Sequence, residues 1–268
     1  TNAFTGELLI TTNDNNTPED GTYAAHASID GGTINLIIGT STIDGNLTLL
    51  SGGTITDTVS STVIVKGALT ATTDANDSDI TLDGLEVGGA YILNPHGTGV
   101  VTIVNAAGID FVEMTVDGAL SATATTGNIT QSGALTITGT TTLVTSADNA
   151  TITLNDAGNA FTGKLLITTN DTGSETDGDV EIDGGTTNLI LGASTIDGDL
   201  VLLSGGTITD DGIATVRGTL TATTDQSDKI ITLDELAVTG AFTLAPDGTG
   251  AVTIVNAAGL NLAASTMG

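Results

Sequence analysis

A long internal duplication constrains this chain more than any other feature of its sequence. The segment NAFTGELLITTND at 2–14 returns as NAFTGKLLITTND at 159–171, with twelve of thirteen positions identical. The one difference exchanges Glu7 for Lys164. Self-similarity of this kind is the signature of repeat architectures, in which similar supersecondary units stack on one another. The chain is therefore expected to be built from units and not around one unique core.

Two more segments carry the duplication along the chain. IDGNLTLLSGGTITD at 43–57 matches IDGDLVLLSGGTITD at 196–210 in thirteen of fifteen positions. TGVVTIVNAAG at 98–108 matches TGAVTIVNAAG at 249–259 in ten of eleven positions. The offset between the copies falls from 157 to 153 to 151 residues. The second copy therefore lacks four residues near position 24 and two near position 60, which is the behaviour of surface loops.

The duplication predicts two units in one continuous array. The first unit occupies 1–158, and the second, incomplete unit occupies 159–268. Residues 119–158 have no counterpart in the second copy, and Thr1 begins in the middle of a pattern. We therefore expect this chain to be part of a longer protein with further units of the same kind.

Short alternating strands separated by glycine predict an all-β fold. Leu, Ile and Val alternate with Thr in segments such as ALTITGTTTLV, and glycines recur near a 22-residue spacing at Gly45, Gly67 and Gly89. Ten Asp-Gly pairs mark turns, because both residues tolerate positive φ. A string of β-sandwiches is one solution, but sandwich cores usually contain an aromatic anchor, and only six residues here are aromatic. The pattern favours a parallel β-solenoid with coils of about 20–22 residues.

The charge balance excludes several classes of partner. The chain has 32 acidic and four basic residues, for a formal net charge of −28. Nucleic acid is not an expected partner, since phosphate binding needs clustered Lys and Arg. Membrane insertion is not expected either, since the sequence contains no apolar run long enough to span a bilayer. Cys is absent, so the chain has no disulfide framework and no thiolate metal site.

Two acidic loops at equivalent places predict calcium binding. The loops are NDNNTPEDG at 13–21 and NDTGSETDGD at 170–179, and they differ in length and order between the copies. Hard oxygen donors at short spacing on a loop are the ligands that calcium prefers. The candidate ligands are Asp14, Asn16, Glu19, Asp20, Asp171, Glu175, Asp177 and Asp179. No other cofactor is predicted.

Comparing the copies tests whether any other residue carries chemistry. His26 falls in the segment that the alignment deletes from the second copy, and His96 is replaced by Asp247. Neither histidine is therefore expected to act as a ligand or base. Lys66 and Arg217 form the one preserved cationic position, and we expect each to pair with a nearby carboxylate.

The sequence does not favour an enzyme. Polysaccharide-acting β-helices need a strong base or two facing carboxylates, usually beside aromatic sugar platforms, and aromatics are scarce here. P-loop, G-x-S-x-G and H-E-x-x-H motifs are absent. A regular T-x-T array that orders water, as in ice-binding solenoids, is a further alternative, although T-x-T recurs only irregularly.

The strand style resembles the β-helical stalks of giant bacterial surface proteins. The segment GNITQSGALTITGTTTLVTSADNATITLNDAGNAFTG at 127–163 is similar to filamentous-haemagglutinin-type adhesins and autotransporter passengers. That resemblance implies a right-handed β-helix, export to the cell surface or extracellular space of a bacterium, and a role in adhesion or matrix building. We therefore predict a structural fibre, stalk or matrix subunit that associates end to end with itself or with other surface proteins. The alternative is a spacer region of an adhesin.

Overall fold

The computed structural model describes residues 2–13, 25–170, 172–173 and 177–266. Within these ranges the chain is all-β, with 27 strands and no helix. Because there is no helix in the described part, no helix there could cross a membrane.

The strands are short and follow one another at close intervals. Their bounds are β1 Ala27–Asp30, β2 Leu36–Ile38, β3 Ser41–Ile43, β4 Leu47–Ser51, β5 Ile55–Asp57, β6 Val63–Val65, β7 Leu69–Thr73, β8 Ile80–Val87, β9 Tyr91–Asn94, β10 Val101–Asn105, β11 Ile109–Phe111, β12 Met114–Val116, β13 Leu120–Ala124, β14 Ile129–Gln131, β15 Leu135–Ile137, β16 Thr141–Thr145, β17 Ile152–Leu154, β18 Ala160–Phe161, β19 Lys164–Thr168, β20 Val180–Asp183, β21 Leu189–Ile196, β22 Leu200–Ser204, β23 Ile208–Val216, β24 Leu220–Thr224, β25 Ile231–Val238, β26 Phe242–Ala245 and β27 Val252–Asn256.

These strands stack into two long parallel sheets and one short parallel sheet that is confined to the central part of the described chain. An eleven-stranded sheet has the order β1-β4-β7-β9-β11-β14-β17-β20-β22-β24-β26. A thirteen-stranded sheet contains β2, β3, β5, β6, β8, β10, β13, β16, β19, β21, β23, β25 and β27, and a three-stranded sheet contains β12, β15 and β18. Each strand pairs with the strand one turn later, so the chain winds about eleven times. The predicted β-solenoid is confirmed, and this stacking excludes a string of sandwiches.

The register of the eleven-stranded sheet measures the coil. Ala27 pairs with Leu47, Leu47 with Leu69, and Leu69 with Tyr91. At one corner, the two hydrogen bonds of Asn46 to neighbouring turns accordingly join residues 20 and 22 positions apart. The largest departure lies where Ile152 pairs with a residue 28 positions later, since that turn contains the second acidic loop. The predicted coil length therefore holds for most of the solenoid.

Aliphatic side chains from successive turns form one continuous core. Along each strand alternate residues point inward, as in the buried–intermediate alternation of β7 and β24. Leu47, Leu69, Tyr91 and Phe111 stand in one such column, and all four are fully buried. Burial of a Leu or Phe side chain contributes about 1.5–3 kcal/mol. The narrow interior is thus filled by stacked side chains and is not a channel.

Two types of coil alternate along the solenoid. In the N-terminal flank (residues 27–94) and the C-terminal flank (180–245), the eleven-stranded sheet holds strands of four or five residues. In the central region (101–168), the strands of that sheet shrink to three residues. The five-residue strands there belong to the thirteen-stranded sheet, namely β10, β13, β16 and β19. In the flanks that sheet holds pairs of three-residue strands or single strands of eight or nine residues, so the two regions divide a coil among their strands differently.

A buried asparagine lies where the first flank passes into the central region. The Asn105 side chain is fully buried. Its Oδ1 accepts the Val87 N–H at 2.8 Å, and its Nδ2 donates to the carbonyls of Val87 at 3.1 Å and Gly108 at 2.7 Å. The amide thus supplies hydrogen bonds to the backbone N–H and carbonyl at the end of β8, where no further strand continues the ladder. It also stabilises the tight turn into β11.

A second buried asparagine lies where the central region passes into the C-terminal flank. Asn159 Oδ1 accepts the Leu135 N–H at 2.8 Å and the Gln131 side-chain amide at 2.9 Å. Its Nδ2 donates to the carbonyls of Leu154 and Asp183 and to Gln131 Oε1. One side chain therefore joins three successive turns. Buried amides that are fully bonded in this way specify a unique arrangement.

Glycine marks the corners for a different reason from the one that the sequence suggested. Gly67 and Gly89 stack directly on the glycine of the preceding turn, each donating its N–H to that glycine's carbonyl at 3.0 Å. A Cβ atom at Gly89 would lie 2.5 Å from the Gly67 carbonyl carbon. Among described Asp-Gly pairs, positive φ occurs at Gly178, Gly212 and Gly248 but not at the stacked corners. At those corners close backbone approach, and not positive φ, requires glycine.

Candidate functional surfaces

Most of the predicted calcium ligands lie outside the described residues. These are Asp14, Asn16, Glu19, Asp20, Asp171 and Glu175. Asp177 and Asp179 are described. Among the residues that the structure describes, no group of three or more Asp, Glu or His side chains is arranged to hold a metal ion. Calcium binding at these loops stays a prediction.

Asp179 belongs to a ladder of side-chain acceptors at one corner of the solenoid. Its Oδ1 accepts the Asp199 N–H at 2.8 Å, and Asp199 Oδ1 in turn accepts the Thr219 N–H at 2.6 Å. In the first copy, His26 Nδ1 accepts the Asn46 N–H at 2.8 Å, and Asn46 Oδ1 does the same one turn later. The corner thus binds each turn to the next through a polar side chain.

This ladder corrects the alignment of the two copies around His26. The alignment placed His26 in the deleted segment, but Asp179 occupies the same position and makes the same bond to the next turn. The deletion therefore lies before this corner. The sequence could not locate it, since His and Asp share little except an acceptor atom.

An acidic groove in the C-terminal flank contains the same corner. Asp179, Glu181 and Asp199 line it together with Thr153 and Val201. The equivalent residues of the first copy are His26, Ser28 and Asn46, so the acids are not kept. Asp179 and Asp199 already accept backbone N–H groups of the next turn. Their presence in the groove is therefore explained by their structural role at the corner.

The preserved cationic position forms an ion pair in both copies. Lys66 Nζ lies 2.6 Å from Asp44 Oδ1, and Arg217 Nη1 lies 3.4 Å from Asp197 Oδ1. The prediction that these cations pair with nearby carboxylates is confirmed. Each pair joins neighbouring turns, and partly exposed pairs of this kind contribute little to stability, about 0–1 kcal/mol.

The position at which the opening repeat differs also has a structural partner. Lys164 Nζ lies 2.7 Å from Asp211 Oδ2 in the second copy. In the first copy, Glu7 Oε1 accepts the Thr58 hydroxyl at 3.3 Å. Thr58 is the equivalent of Asp211, so both members of the contact change together and each copy retains a polar link between turns.

Two carboxylates with raised pKa lie in different flanks. Burial raises the pKa of Asp57, although the backbone N–H groups of Asp83 and Gly84 oppose this at 3.1 and 2.7 Å. Burial likewise raises the pKa of Asp183, whose Oδ1 accepts the Gly185 N–H at 2.8 Å. Both carboxylates hold turns in place.

Two exposed carboxylates have the opposite shift. The Thr98 N–H and hydroxyl, both 2.8 Å from Asp77 Oδ1, lower the pKa of Asp77. Thr249 does the same for Asp228 in the second copy. Both copies keep this pair of hydrogen bonds. In each copy the bonds join the loop of one turn to the loop of the next and hold the two loops together.

Outward hydroxyls form one column on the thirteen-stranded sheet. Five successive turns are in register through side chains of Thr or Ser, namely Thr56, Thr81, Thr102, Ser121 and Thr142. The neighbouring column contains Val104, Thr123 and Val144. The face therefore presents a single hydroxyl column here, and the flat two-column array that the ice-binding alternative needs is interrupted by valine.

One buried hydroxyl differs between the copies. Tyr91 is fully buried, and no hydrogen-bond partner for its hydroxyl is present among the described residues. Its ring contacts Phe111 edge to face at 6.3 Å, and burial raises its pKa. Phe242 occupies the equivalent position in the second copy. The hydroxyl is therefore dispensable for the fold, and its burial carries a cost.

Comparison with protein families identifies the repeats. A family model described as repeats of unknown function (DUF5649) matches residues 24–94, 98–168 and 177–245. The chain belongs to the DUF5649 repeat family. The three matched segments fall on the N-terminal flank, the central region and the C-terminal flank, so the family's unit is finer than the duplication. The boundaries predicted at 1–158 and 159–268 stay a prediction.

The other comparisons add no relative. Nothing among the curated proteins or the solved structures matched this chain.

Proposed function

We propose that this DUF5649 chain is a structural rod, part of an extracellular fibre, stalk or matrix. The observation that carries the proposal is the in-register stacking of about eleven turns around one continuous aliphatic core. Adding turns lengthens such a solenoid without a new fold, because each turn contacts only its neighbours. Duplication of a unit then acts directly on length.

The residues shared by the two copies support this proposal. Asn105 and Asn256 make the same bonds to the turn before them, and Asp77 and Asp228 make the same loop clamp. The acids of the groove around Asp179 are not shared. The side chains that both copies keep are those that hold the coils together. We therefore propose that the chain is not an enzyme.

The proposed location is the cell surface or extracellular space of a bacterium. The lack of Cys and the net charge of −28 are compatible with an exported, soluble rod. The likeness of the strands to bacterial β-helical stalks supports the same location. Expected partners are further copies and other surface or matrix proteins.

Electron microscopy and small-angle X-ray scattering of the purified chain test the proposal. Eleven strands at about 4.8 Å spacing predict a rod about 50 Å long, and end-to-end association predicts multiples of that length. Isolated rods at every concentration would instead favour the adhesin spacer. Compact particles without an elongated form would contradict both.

Calcium is proposed as a stabilising counter-ion and not as a cofactor. Titration calorimetry at millimolar calcium should show binding that disappears when Asp177 and Asp171 are replaced by Asn. Magnesium at the same concentration is the control for general screening of charge. Equal heats of binding for calcium and magnesium, or no heat for either ion, would contradict the proposed calcium site.

A further inference from the structure

We propose that two uncharged faces on the side of the solenoid bind a second copy of this chain. One face is formed by the outward residues of β4, β7 and β9, and the other by those of β22, β24 and β26; we call each of them a lateral patch. Binding through these patches joins rods side by side, so it goes beyond the proposed function and does not depend on end-to-end association.

The same corner leads into a five-residue strand in each of the three family units. The corner segments are IDGNL at 43–47, VDGAL at 116–120 and IDGDL at 196–200, and they begin β4, β13 and β22. The glycine in each segment accepts a hydrogen bond at 3.0 Å from the glycine of the next turn. These three strands are therefore equivalent members of the repeat, although β13 belongs to a different sheet from the other two.

The equivalent strands alternate between the two long sheets. In the order of the eleven-stranded sheet β4 is second and β22 is ninth, so seven turns separate them. β13 lies midway between them along the chain but in the thirteen-stranded sheet, so each family unit advances the solenoid by three and a half turns. At about 4.8 Å per turn, the two lateral patches lie about 34 Å apart on the same sheet.

Each lateral patch contains six outward residues in two columns, because alternate residues of a strand point outward. Strand pairing places three of the six in each column. The first lateral patch consists of Thr48, Leu50, Thr70, Thr72, Ile92 and Asn94. The second consists of Val201, Leu203, Thr221, Thr223, Thr243 and Ala245. Their exposed atoms are mainly methyl groups and hydroxyls.

The lateral patches are free of charge in a chain with a net charge of −28. Charge returns at one border of each patch, where Asp30 pairs in register with Leu50, and Glu181 with Val201. In the flanks, the other long sheet carries exposed carboxylates at Asp83, Glu86, Asp211, Asp234 and Glu235. Two acidic copies repel each other least where neither presents a charge, so the lateral patches are the faces on which copies can meet.

The regular spacing of the patches favours another copy as the partner. Their side chains recur at the strand spacing of about 4.8 Å, and an identical patch has the same spacing. Side chains of two copies can therefore interdigitate along the whole patch, as in facing sheets about 10 Å apart. The patches contain no aromatic residue on which a sugar could stack and no cation that could bind a polyanion.

The area of a lateral patch determines how many patches must bind at once. Three strands of up to five residues cover about 14 by 17 Å, or about 240 Å². One pair of facing patches therefore buries about 480 Å² over both chains, which is less than a specific interface needs. Two pairs bury about 960 Å², close to the roughly 1,000 Å² of a small specific interface. Since both patches lie on one sheet at the same separation in every copy, they can bind together.

Sedimentation velocity of charge variants tests the proposal. Thr70→Glu and Thr221→Glu each place a carboxylate in the middle of one lateral patch. Each should weaken self-association about tenfold or more, because the carboxylate would be buried without a partner and the other patch is too small alone. Added salt should strengthen association of the unsubstituted chain, because it screens repulsion between the acidic copies.

Thr142→Glu is the matched control. Thr142 holds the same strand position in the central region, but β16 lies in the thirteen-stranded sheet, away from both lateral patches. Its self-association should stay within about twofold of that of the unsubstituted chain. Equal weakening by all three variants would assign the effect to net charge and overturn the proposal.

Cysteine labelling provides a measurement without added charge, since the chain has no native Cys. Thr70→Cys and Thr221→Cys should react with a maleimide at least fivefold more slowly in concentrated protein than in dilute protein. Thr142→Cys should react at the same rate in both. Amide exchange of each variant verifies that its turns stay folded. Rates that do not change with concentration at any of the three sites would overturn the proposal.

Electron microscopy separates lateral binding from end-to-end association. Lateral binding doubles the width of the rod, whereas end-to-end association increases its length at constant width. Particles that lengthen without widening, or single rods at every concentration and salt, would contradict the lateral patches and leave the proposed rod intact. Compact particles would contradict the rod itself.

Discussion

The flanks and the central region of this solenoid use coils of similar length but turn at different places. In the flanks the thirteen-stranded sheet holds pairs of three-residue strands or single strands of eight or nine residues, and the eleven-stranded sheet holds strands of four or five residues. In the central region the thirteen-stranded sheet holds strands of five residues, and the strands of the eleven-stranded sheet shorten to three. One cluster of buried hydrophobic residues continues through both boundaries, so the change in strand pattern does not interrupt the core. The polar side chains that differ at the boundaries are Asn105 and Asn159.

The comparison teaches that one buried amide can replace a stretch of strand. In the flanks, strands such as β6 and the end of β8 continue the ladder on the second half of the thirteen-stranded sheet. At the first boundary that continuation stops, and the Asn105 amide bonds to Val87 in its place. The backbone requirement is unchanged, but a side chain now meets it.

The largest expected effect comes from removing the amide at the second boundary. Asn159→Ala leaves the Leu135 N–H and the Leu154 and Asp183 carbonyls without their partner, and should lower the free energy of unfolding by about 3 kcal/mol or more. Hydrogen exchange should localise the loss to the central region and its border with the C-terminal flank.

Asn155→Ala is the matched control, because Asn155 lies four residues away and is exposed. It should change stability by less than about 0.5 kcal/mol. A solenoid need not unfold in one step, so exchange resolved by residue is preferable to a single melting curve. Equal effects of the two variants would refute the role of the buried amide.

A smaller loss is expected from a methyl group in the glycine column of the central region. A Cβ at Gly139 would lie 2.5 Å from the carbonyl carbon and oxygen of Gly118, so Gly139→Ala must separate two turns. The expected cost is about 1–3 kcal/mol in denaturant titration. Gly6→Ala, where a Cβ would meet nothing within 4 Å, is the control and should be nearly neutral. A tolerated Gly139→Ala would show that the corners are not close-packed.

Removing a buried hydroxyl from one flank and adding one at the equivalent position of the other should change the free energy of unfolding in opposite directions. Tyr91→Phe removes a buried hydroxyl without a partner among the described residues and should stabilise the N-terminal flank by about 1 kcal/mol. Phe242→Tyr introduces such a hydroxyl into the C-terminal flank and should cost about 1–3 kcal/mol. Destabilisation by both substitutions would indicate that the Tyr91 hydroxyl contributes a favourable interaction.

The smallest expected effect is a pH dependence confined to the flanks. A raised pKa means that the folded state binds the proton more tightly, so Asp57 and Asp183 should favour folding increasingly as pH falls from neutrality towards their usual 3.8. The lowered pKa values of Asp77 and Asp228 act oppositely, and their contribution is lost as pH falls below 3.8. Stability of the flanks should therefore pass through a maximum near pH 4.

Asp57→Asn should reduce the gain between pH 7 and pH 4 in the N-terminal flank. Asp117→Asn, at an exposed carboxylate of the central region, is the control for the general relief of repulsion in this acidic chain. Hydrogen exchange at the two pH values provides the measurement. The same change in both variants would assign the pH dependence to net charge alone.

The solenoid and its period could be predicted from sequence because they depend on local, repeated features. The spacing of Gly45, Gly67 and Gly89 corresponds to a column of stacked corners, and strand alternation corresponds to inward columns. The reason assigned to the Asp-Gly pairs was wrong for the stacked corners. Sequence shows that a glycine is present, but only the neighbouring turn shows that a Cβ would collide with it.

The candidate sites were less predictable. Six of the eight proposed calcium ligands lie outside the described residues, and Asp179 accepts a backbone N–H of the next turn. Its equivalence to His26 was hidden because the two side chains share a hydrogen-bond role and not a residue type. Contacts between residues about 20 positions apart determine that role, and no local pattern contains them.

The sequence by itself determined that this chain is an all-β array of stacked turns, since alternation, glycine spacing and duplication are properties of the chain order. Tertiary structure decided where the coil changes shape and which polar side chains hold the turns together. The physical reason is that a buried amide or carboxylate acts through whichever backbone groups the next turn places beside it. Asn105 and Asn159 find their hydrogen-bond partners only after the coils have stacked.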